Sequence, residues 1–359
     1  MTPEYLFIPH TAVAEQIRVV LTAWGMLPDD VEKTVDAMVD TDLRGIDSHG
    51  ISMLMTYDRL RASGRLAIDA PRTITAETPA VATIDAGGGL GHPAAVDAMR
   101  LAMDKARTVG IGAVAVRNSH HFGALGSYAR LAAAEGMMAF VTTSTRLTGV
   151  LPTGSRQSRL GTNPLAFAAP GRDGEPLVLD MSTSVVASNK VRSYALKQLP
   201  VPDGWVIDGD GESITDAAAA YEAIQHDENA GLTPLGGPDV QGGGHKGYGL
   251  SLMVQILSCA LAGAGMPGTG DIGHFFLALR PDAFSPAGTS ADYVDELLRS
   301  MRGSEPLNPT FPVLVPGDPE AAERERRLRD GVPLPSTLLA QLRELCTRNS
   351  APYVLELTA

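Results

Sequence analysis

Cysteine is scarce: the 359 residues include only two, Cys259 and Cys346. That excludes a disulfide framework, and the pair has no metal-ligand spacing. Positive charge is short as well. Lys and Arg number 29 against 41 Asp and Glu, for a formal net charge of -12. An acidic chain without a basic stripe is a poor candidate for nucleic acid or an anionic membrane surface, although local donors still suffice for small anions. Long apolar runs are missing too. The most apolar stretch, GYGLSLMVQILSCALAGAG from Gly247, carries Gln255 and several glycines. It is short for a membrane span and reads as a buried core helix. The first ten residues, MTPEYLFIPH, lack the basic region and apolar run of a signal peptide. A reducing, cytoplasmic setting is the default expectation. Neither H-x-x-x-H nor H-E-x-x-H spacing occurs, so no metal site is expected, and the P-loop pattern G-x-x-x-x-G-K-[ST] is absent.

What is present is an ordinary globular composition, 44% apolar and 19% charged. The length suits a large core and two domains. Residues 11 to 62 carry apolar positions at helical spacing, with Pro28-Asp29-Asp30 as a turn and helix start. The character changes at Pro71. Strand-like TITAETPAVATIDA leads through GGGLG into a helix, and GIGAVAVRN follows as a strand. Further strands are expected at MMAFVTTS, PLAFAAPG, EPLVLDMST and IGHFFLALRP, with a helix over STSVVASNKVRSYALKQ. From about residue 285 the pattern is helical again. The expectation is an α/β domain over residues 76–284 beside a helical domain built from both termini, 1–75 and 285–359.

Six segments carry candidate chemistry. In GGGLGHPAA, Gly89, Gly91 and Ala94 fit G-x-G-x-x-A, but the next strand ends Val116-Arg117-Asn118, without the acid that reads a ribose. A tight strand-to-helix turn is the preferred reading. In RGIDSHG, Asp47 and Ser48 read as a helix cap, or as groups holding an anionic substrate with His49. In NSHHFGALGS, paired His120 and His121 stand at a strand-to-helix junction, where an imidazole titrating near ~6.5 can exchange a proton. GTNP, Gly161 to Pro164, is a turn whose Thr162 or Asn163 could present donors. LDMSTS places Asp180 at the end of a strand, and GGGHKGYG puts Lys246 beside a flexible backbone.

Taken in order, RGIDSHG, AVRNSHHFG, LGTNPLAFAAPG, LDMSTS, GGGHKGYGLSLMVQIL and VPGDPE resemble the type-2 malate/L-lactate dehydrogenase family, over about residues 5 to 345. The resemblance implies a nicotinamide-dependent oxidoreductase, using NAD or NADP, whose cofactor fold is not the Rossmann fold. It also implies a homodimer or larger assembly. Its substrate would be a small 2-hydroxy or 2-oxo acid. By the same resemblance His121 is the general base or acid, and His120 is dispensable. Ser48, His49 and Tyr57 would line the substrate side. Phe122, Gly123, Ala124 and Leu125 would join His121 on the cofactor side, with Thr145, Asp180, Met181, Ser182, Lys246, Gly317, Asp318 and Glu320. Asp47 and Asp180 are both candidates to orient the His121 ring.

One departure stands out. Many family members carry an arginine five residues after the serine of S-H-G, suited to a substrate carboxylate; here that position is Met53. Methionine cannot form the bidentate clamp. Arg44, Arg146 and Lys190 are the candidates to replace it, unless the substrate differs at that end. A cyclic imino acid reductase of the same family and, from another class, a metal-dependent hydrolase are the alternatives.

Overall fold

The computed structural model describes residues 5–172 and 176–355. The chain begins with strand β1 (Tyr5–Ile8) and helices α1 (His10–Ala23), α2 (Pro28–Leu43) and α3 (Leu54–Ala62). Strands β2 (Thr73–Glu77) and β3 (Val81–Gly89), helix α4 (Gly91–Val109) and strand β4 (Ile111–Ser119) follow. Then come α5 (Leu125–Ala134), β5 (Met138–Thr143), β6 (Leu165–Ala169) and β7 (Leu177–Met181). A smaller unit holds α6 (Ser188–Leu196), β8 (Val206–Ile207), α7 (Ala217–His226) and β9 (Gly231–Leu232). Helix α8 (Gly244–Gln255), strand β10 (Ile272–Leu279), helices α9 (Thr289–Arg302) and α10 (Asp318–Asp330), strand β11 (Val332–Pro335) and helix α11 (Ser336–Arg348) complete it.

Seven strands form the central sheet in the order β2-β3-β4-β10-β5-β6-β7. Only β3 and β4 are parallel; every other pair in this sheet is antiparallel. The mixed sheet is therefore not a Rossmann sheet, whose strands run parallel with helices on both faces. The parallel pair needs a crossover, and α4 supplies it. Pro93 is tolerated in its first turn, and Gly110, left-handed at φ +89, ends it. α4 lies so close to β4 that a Cβ on Gly112 would fall 1.9 Å from the Ala102 carbonyl oxygen. Alanine makes up more than half of the buried cluster between this sheet and helices α4 and α5.

A second cluster joins the two ends of the chain. Val13, Ile17 and Leu21 of α1 meet Leu339, Leu342 and Leu345 of α11, with Tyr57 of α3 among them. β1 pairs with β11 beside it, a strand pair within the domain expected to be helical. Not every C-terminal helix belongs here: Val294 and Leu298 of α9 pack with Ala169 on the sheet. A third cluster, around Val150, Val191, Ala220 and Leu232, holds the smaller unit together.

Two sequence expectations need correction. The predicted helix over 182–198 starts only at Ser188, because Thr183 is tied to the Thr162 and Asn163 carbonyls and Val185 to the Thr233 carbonyl. The apolar stretch from Gly247 is not a buried core helix. α8 ends in a single π-turn over Ile256–Ala260, and Ile256 and Leu261 stand 57% and 56% exposed.

Candidate active site

The site forms where the alanine-rich sheet meets the helical cluster. β4 ends at Ser119, just after Asn118 adopts a left-handed φ of 49°. The chain then turns sharply through His120 and His121 into α5. The GGGLG turn supports this bend from below. Gly91 N–H donates to the His121 carbonyl (3.2 Å), and a Cβ on Gly91 would lie 2.2 Å from the His120 carbonyl oxygen. Its role is thus a backbone buttress. Phe122 anchors the far side of the bend, stacked on His274 (4.3 Å) and Tyr128 (4.9 Å).

His121 Nδ1 lies 2.8 Å from Tyr57 Oη. The hydroxyl can accept from Nδ1–H or donate to bare Nδ1, so it holds the ring in either charge state. His49 stands beside it, ring centroids 5.3 Å apart, and Ser48 Oγ bonds His49 Nδ1 at 2.7 Å. The structure thus brings Ser48, His49, Tyr57 and His121 together. Burial keeps these histidines neutral. It pushes His49 down to about 4 and His121 well below its ordinary value, with His49 and His92 adding to the effect on His121.

Neither acid proposed to orient the His121 ring does so; Tyr57 occupies Nδ1. Asp47 instead pairs with Arg327 of α10 (2.5 Å), and no side-chain cap is made at Asp47 or Ser48. Arg327 also donates to the Asp42 carbonyl (2.8 Å). The Asp42 carboxyl accepts from Ile51 N–H (2.8 Å), and a Cβ on Gly50 would collide with it. Burial raises Asp42 to about 8. The S-H-G segment is therefore held between α2 and α10. Asp180 accepts from Gly126 N–H (2.7 Å) at the start of α5. Burial, with Glu320 nearby, raises it to about 6.

The remaining predicted residues separate into two groups. Phe122 to Leu125, Asp180 and Glu320 converge at the start of α5. Met181 and Ser182 extend β7 from there, with Ser182 Oγ donating to the Ser184 carbonyl. Gly317, left-handed at φ +101, packs its Cα against β7 at Val178, and Asp318 pairs with Arg302. Thr145 and Lys246 stand apart from that group. Thr145 Oγ1 donates to the Leu147 carbonyl (3.1 Å), and Lys246 is exposed on the first turn of α8. Asn163 is fully buried and donates to Ser251 and Gln255 of α8, a structural tie.

Sequence reasoning missed three participants. His274 is buried with both nitrogens bonded, to Thr143 and Ser119. His92 is buried beside Tyr57, ring centroids 5.7 Å apart, and neither of its nitrogens has a partner among the described residues. Arg327 holds Asp47 from 280 residues away. Only the histidines carried any signal, as residues of functional type in apolar surroundings. Among the described residues no group of three His, Cys, Asp or Glu side chains could hold a metal ion.

This geometry agrees with the comparisons with known proteins. The model of the malate/L-lactate dehydrogenase family matches residues 8–343. The chain belongs to the malate/L-lactate dehydrogenase family. It is 38% identical to a malate dehydrogenase of Pyrococcus abyssi, over 96% of this chain and 95% of the relative. The crystal structure of malate dehydrogenase from Entamoeba histolytica superposes with a TM-score of 0.94 at 29% identity, covering 97% of this chain and 99% of that one. A delta1-piperideine-2-carboxylate reductase from Pseudomonas syringae superposes with a TM-score of 0.81 at 30% identity, covering 95% and 99%. As a member of this dehydrogenase family, the chain is an oxidoreductase acting on a CH–OH group.

Proposed function

We propose that this dehydrogenase interconverts a small 2-hydroxy acid and its 2-oxo acid, malate or a close analogue, with NAD or NADP. The observation that carries the reading is the Tyr57–His121 hydrogen bond, set beside His49 and directly before the start of α5. The residues fit a nicotinamide cofactor. Gly123, at φ +78 and without a Cβ, leaves room in front of the buried His92, whose ring has no hydrogen-bond partner among the described residues. Asp180 and Glu320 add two carboxylates, which suit sugar hydroxyls better than a 2′-phosphate, so NAD is the expected preference.

A nicotinamide held there would supply the hydride acceptor or donor. His121 Nε2 accepts the hydroxyl proton of the acid during oxidation, while Nδ1 stays hydrogen-bonded to Tyr57. In reduction the doubly protonated ring returns a proton from Nε2 to the carbonyl oxygen. Burial favours the neutral ring, so the base form needed for oxidation predominates at neutral pH. Ser48 fixes the His49 ring, which lines the same wall.

The reading extends to the chain's setting. A homodimer is supported by apolar side chains left exposed on and after α8: Leu252, Met253, Ile256, Leu261 and Met266. Among the described residues no helix is long and apolar enough to cross a membrane. Two buried, unpaired cysteines fit a reducing cytoplasm.

The test is consumption of NADH and NADPH, separately, with 2-oxo acids and with cyclic imino acids. Turnover of oxaloacetate or pyruvate is expected. Turnover of imino acids alone would move the reading to the imine reductase, which the likeness to the Pseudomonas syringae enzyme favours as the second choice. Turnover of neither class would overturn both.

A further inference from the structure

His120 takes no part in the chemistry above, yet it is built in with care. The residue is 4% exposed, and Arg146 donates to Nδ1 at 2.8 Å. The Arg65 backbone bonds the ring as well. Burial, and then the charge of Arg146, hold His120 neutral, with its pKa down to about 4. A neutral acceptor orients a guanidinium without cancelling its charge. A carboxylate would do both.

The contrast with other half-buried cations is plain. Arg72 pairs with Asp30, Arg130 with Asp40, and Arg327 with Asp47. Among the described residues Arg146 and Arg65 have no carboxylate in ion-pair contact; Arg65 bonds only the Ser63 hydroxyl through its side chain. They are near enough to repel each other, and Asp271, the one acid felt by Arg146, spends an oxygen on Gly265 N–H. Two like charges held together, with no carboxylate in contact among the described residues, describe a place for an anion.

The position suits the substrate. His120 adjoins His121, and Arg65 lies just beyond α3, the helix whose Tyr57 bonds His121. The segments that supply the proton-transfer pair therefore also supply His120 and Arg65, and Arg146 reaches His120 from the segment after β5. Met53 brings no charge and packs against the helical cluster, and the other candidate cations are engaged elsewhere, Arg44 with Asp40 and Lys190 over Tyr194.

We propose that Arg146, oriented by His120 and accompanied by Arg65, binds the carboxylate of the acid whose reacting carbon faces His121. His120 is then a positioning residue. This rests on the dehydrogenase reading, so the test includes a probe that needs no turnover.

The experiment uses the full chain loaded with NADH. Steady-state rates are measured with the best 2-oxo acid, and binding of oxalate, a non-reducible mimic, by calorimetry. Arg146→Met is expected to raise KM and weaken oxalate binding roughly 10- to 100-fold, with a smaller change in kcat. Arg146→Lys keeps the charge without the fork and should fall between. His120→Leu should reproduce part of the loss, and His120→Asn, whose amide oxygen can accept from Arg146, should recover it. If Arg146→Met does not fold, the lysine variant and the His120 pair carry the same test. Unchanged KM and oxalate affinity in these variants would overturn the proposal. Absence of oxalate binding to the wild-type chain would do so too. Oxalate binding through Arg146 without turnover of any 2-oxo acid would keep the anion site and remove the dehydrogenase reading.

Discussion

The sheet core and the terminal core solve the packing problem in opposite ways. More than half of the buried residues between the central sheet and α4 and α5 are alanine, whereas the cluster made by the two chain ends contains none among its buried members. Small residues let backbone approach backbone, as Gly112 does under Ala102. Large ones fill a wider gap with interdigitated side chains. The first core is sensitive to added volume, the second to lost volume. The site takes one partner from each: His121 hangs from the sheet core, and Tyr57 is a fully buried member of the terminal core. Their 2.8 Å bond is a gauge of how the two cores sit against each other.

The largest effect should come from breaking that gauge at its reactive end. His121→Ala is expected to lower kcat about 10²- to 10⁴-fold while cofactor affinity, read by fluorescence titration, stays near wild type. Wild-type turnover in this variant would remove His121 from the mechanism. Tyr57→Phe keeps the ring and loses only the hydroxyl; a loss of about 10- to 100-fold in kcat is expected.

The cores themselves can be compared by denaturant unfolding. Leu342→Ala, in the terminal core, should cost about 2–5 kcal/mol. Gly112→Ala adds a single methyl to the sheet core, yet it should cost about 1–3 kcal/mol, because the clash is with backbone. Equal tolerance of both changes would erase the contrast.

Titration sharpens the comparison further. The buried histidines, His49 at about 4 and His92 and His274 at about 3, are depressed below 6.5. The unfolded chain therefore binds more protons, and stability should fall as pH drops from about 6.5 towards 4. Asp42 works in the opposite sense. Its pKa is raised from 3.8 to about 8, so its contribution is full below 3.8 and lost as pH rises through 8. Asp42→Asn should be a small gain in melting temperature near pH 8 and no gain near pH 4. The reverse order would contradict a buried, protonated Asp42.

Much of this fold is legible in local patterns. Strand alternation and the glycine turn before α4 locate β3, α4, β4, β5 and β10, and the motif order around RGIDSHG and NSHHFG marks Ser48, His49, Tyr57 and His121. Partners across the chain are not legible, because periodicity reports a face and says nothing of what meets it. Asp47 looks like a helix cap until Arg327 arrives from α10. His120 looks spare until Arg146 reaches it. Composition misled once: the stretch from Gly247 is apolar enough for a core, but part of it stands on the surface.

The place of β10 has a consequence for how the chain is made. It lies in the middle of the sheet, between β4 and β5, yet it follows β5 by well over a hundred residues. During synthesis, strands β4 and β5 must wait with open, apolar edges until residue 279 has left the ribosome, and the cluster shared by both termini closes later still. Non-local closure of this kind is slow, and waiting strand edges invite pairing with other chains. The nascent chain is most exposed to misassembly after β7 and before β10, a window that a chaperone would be expected to cover.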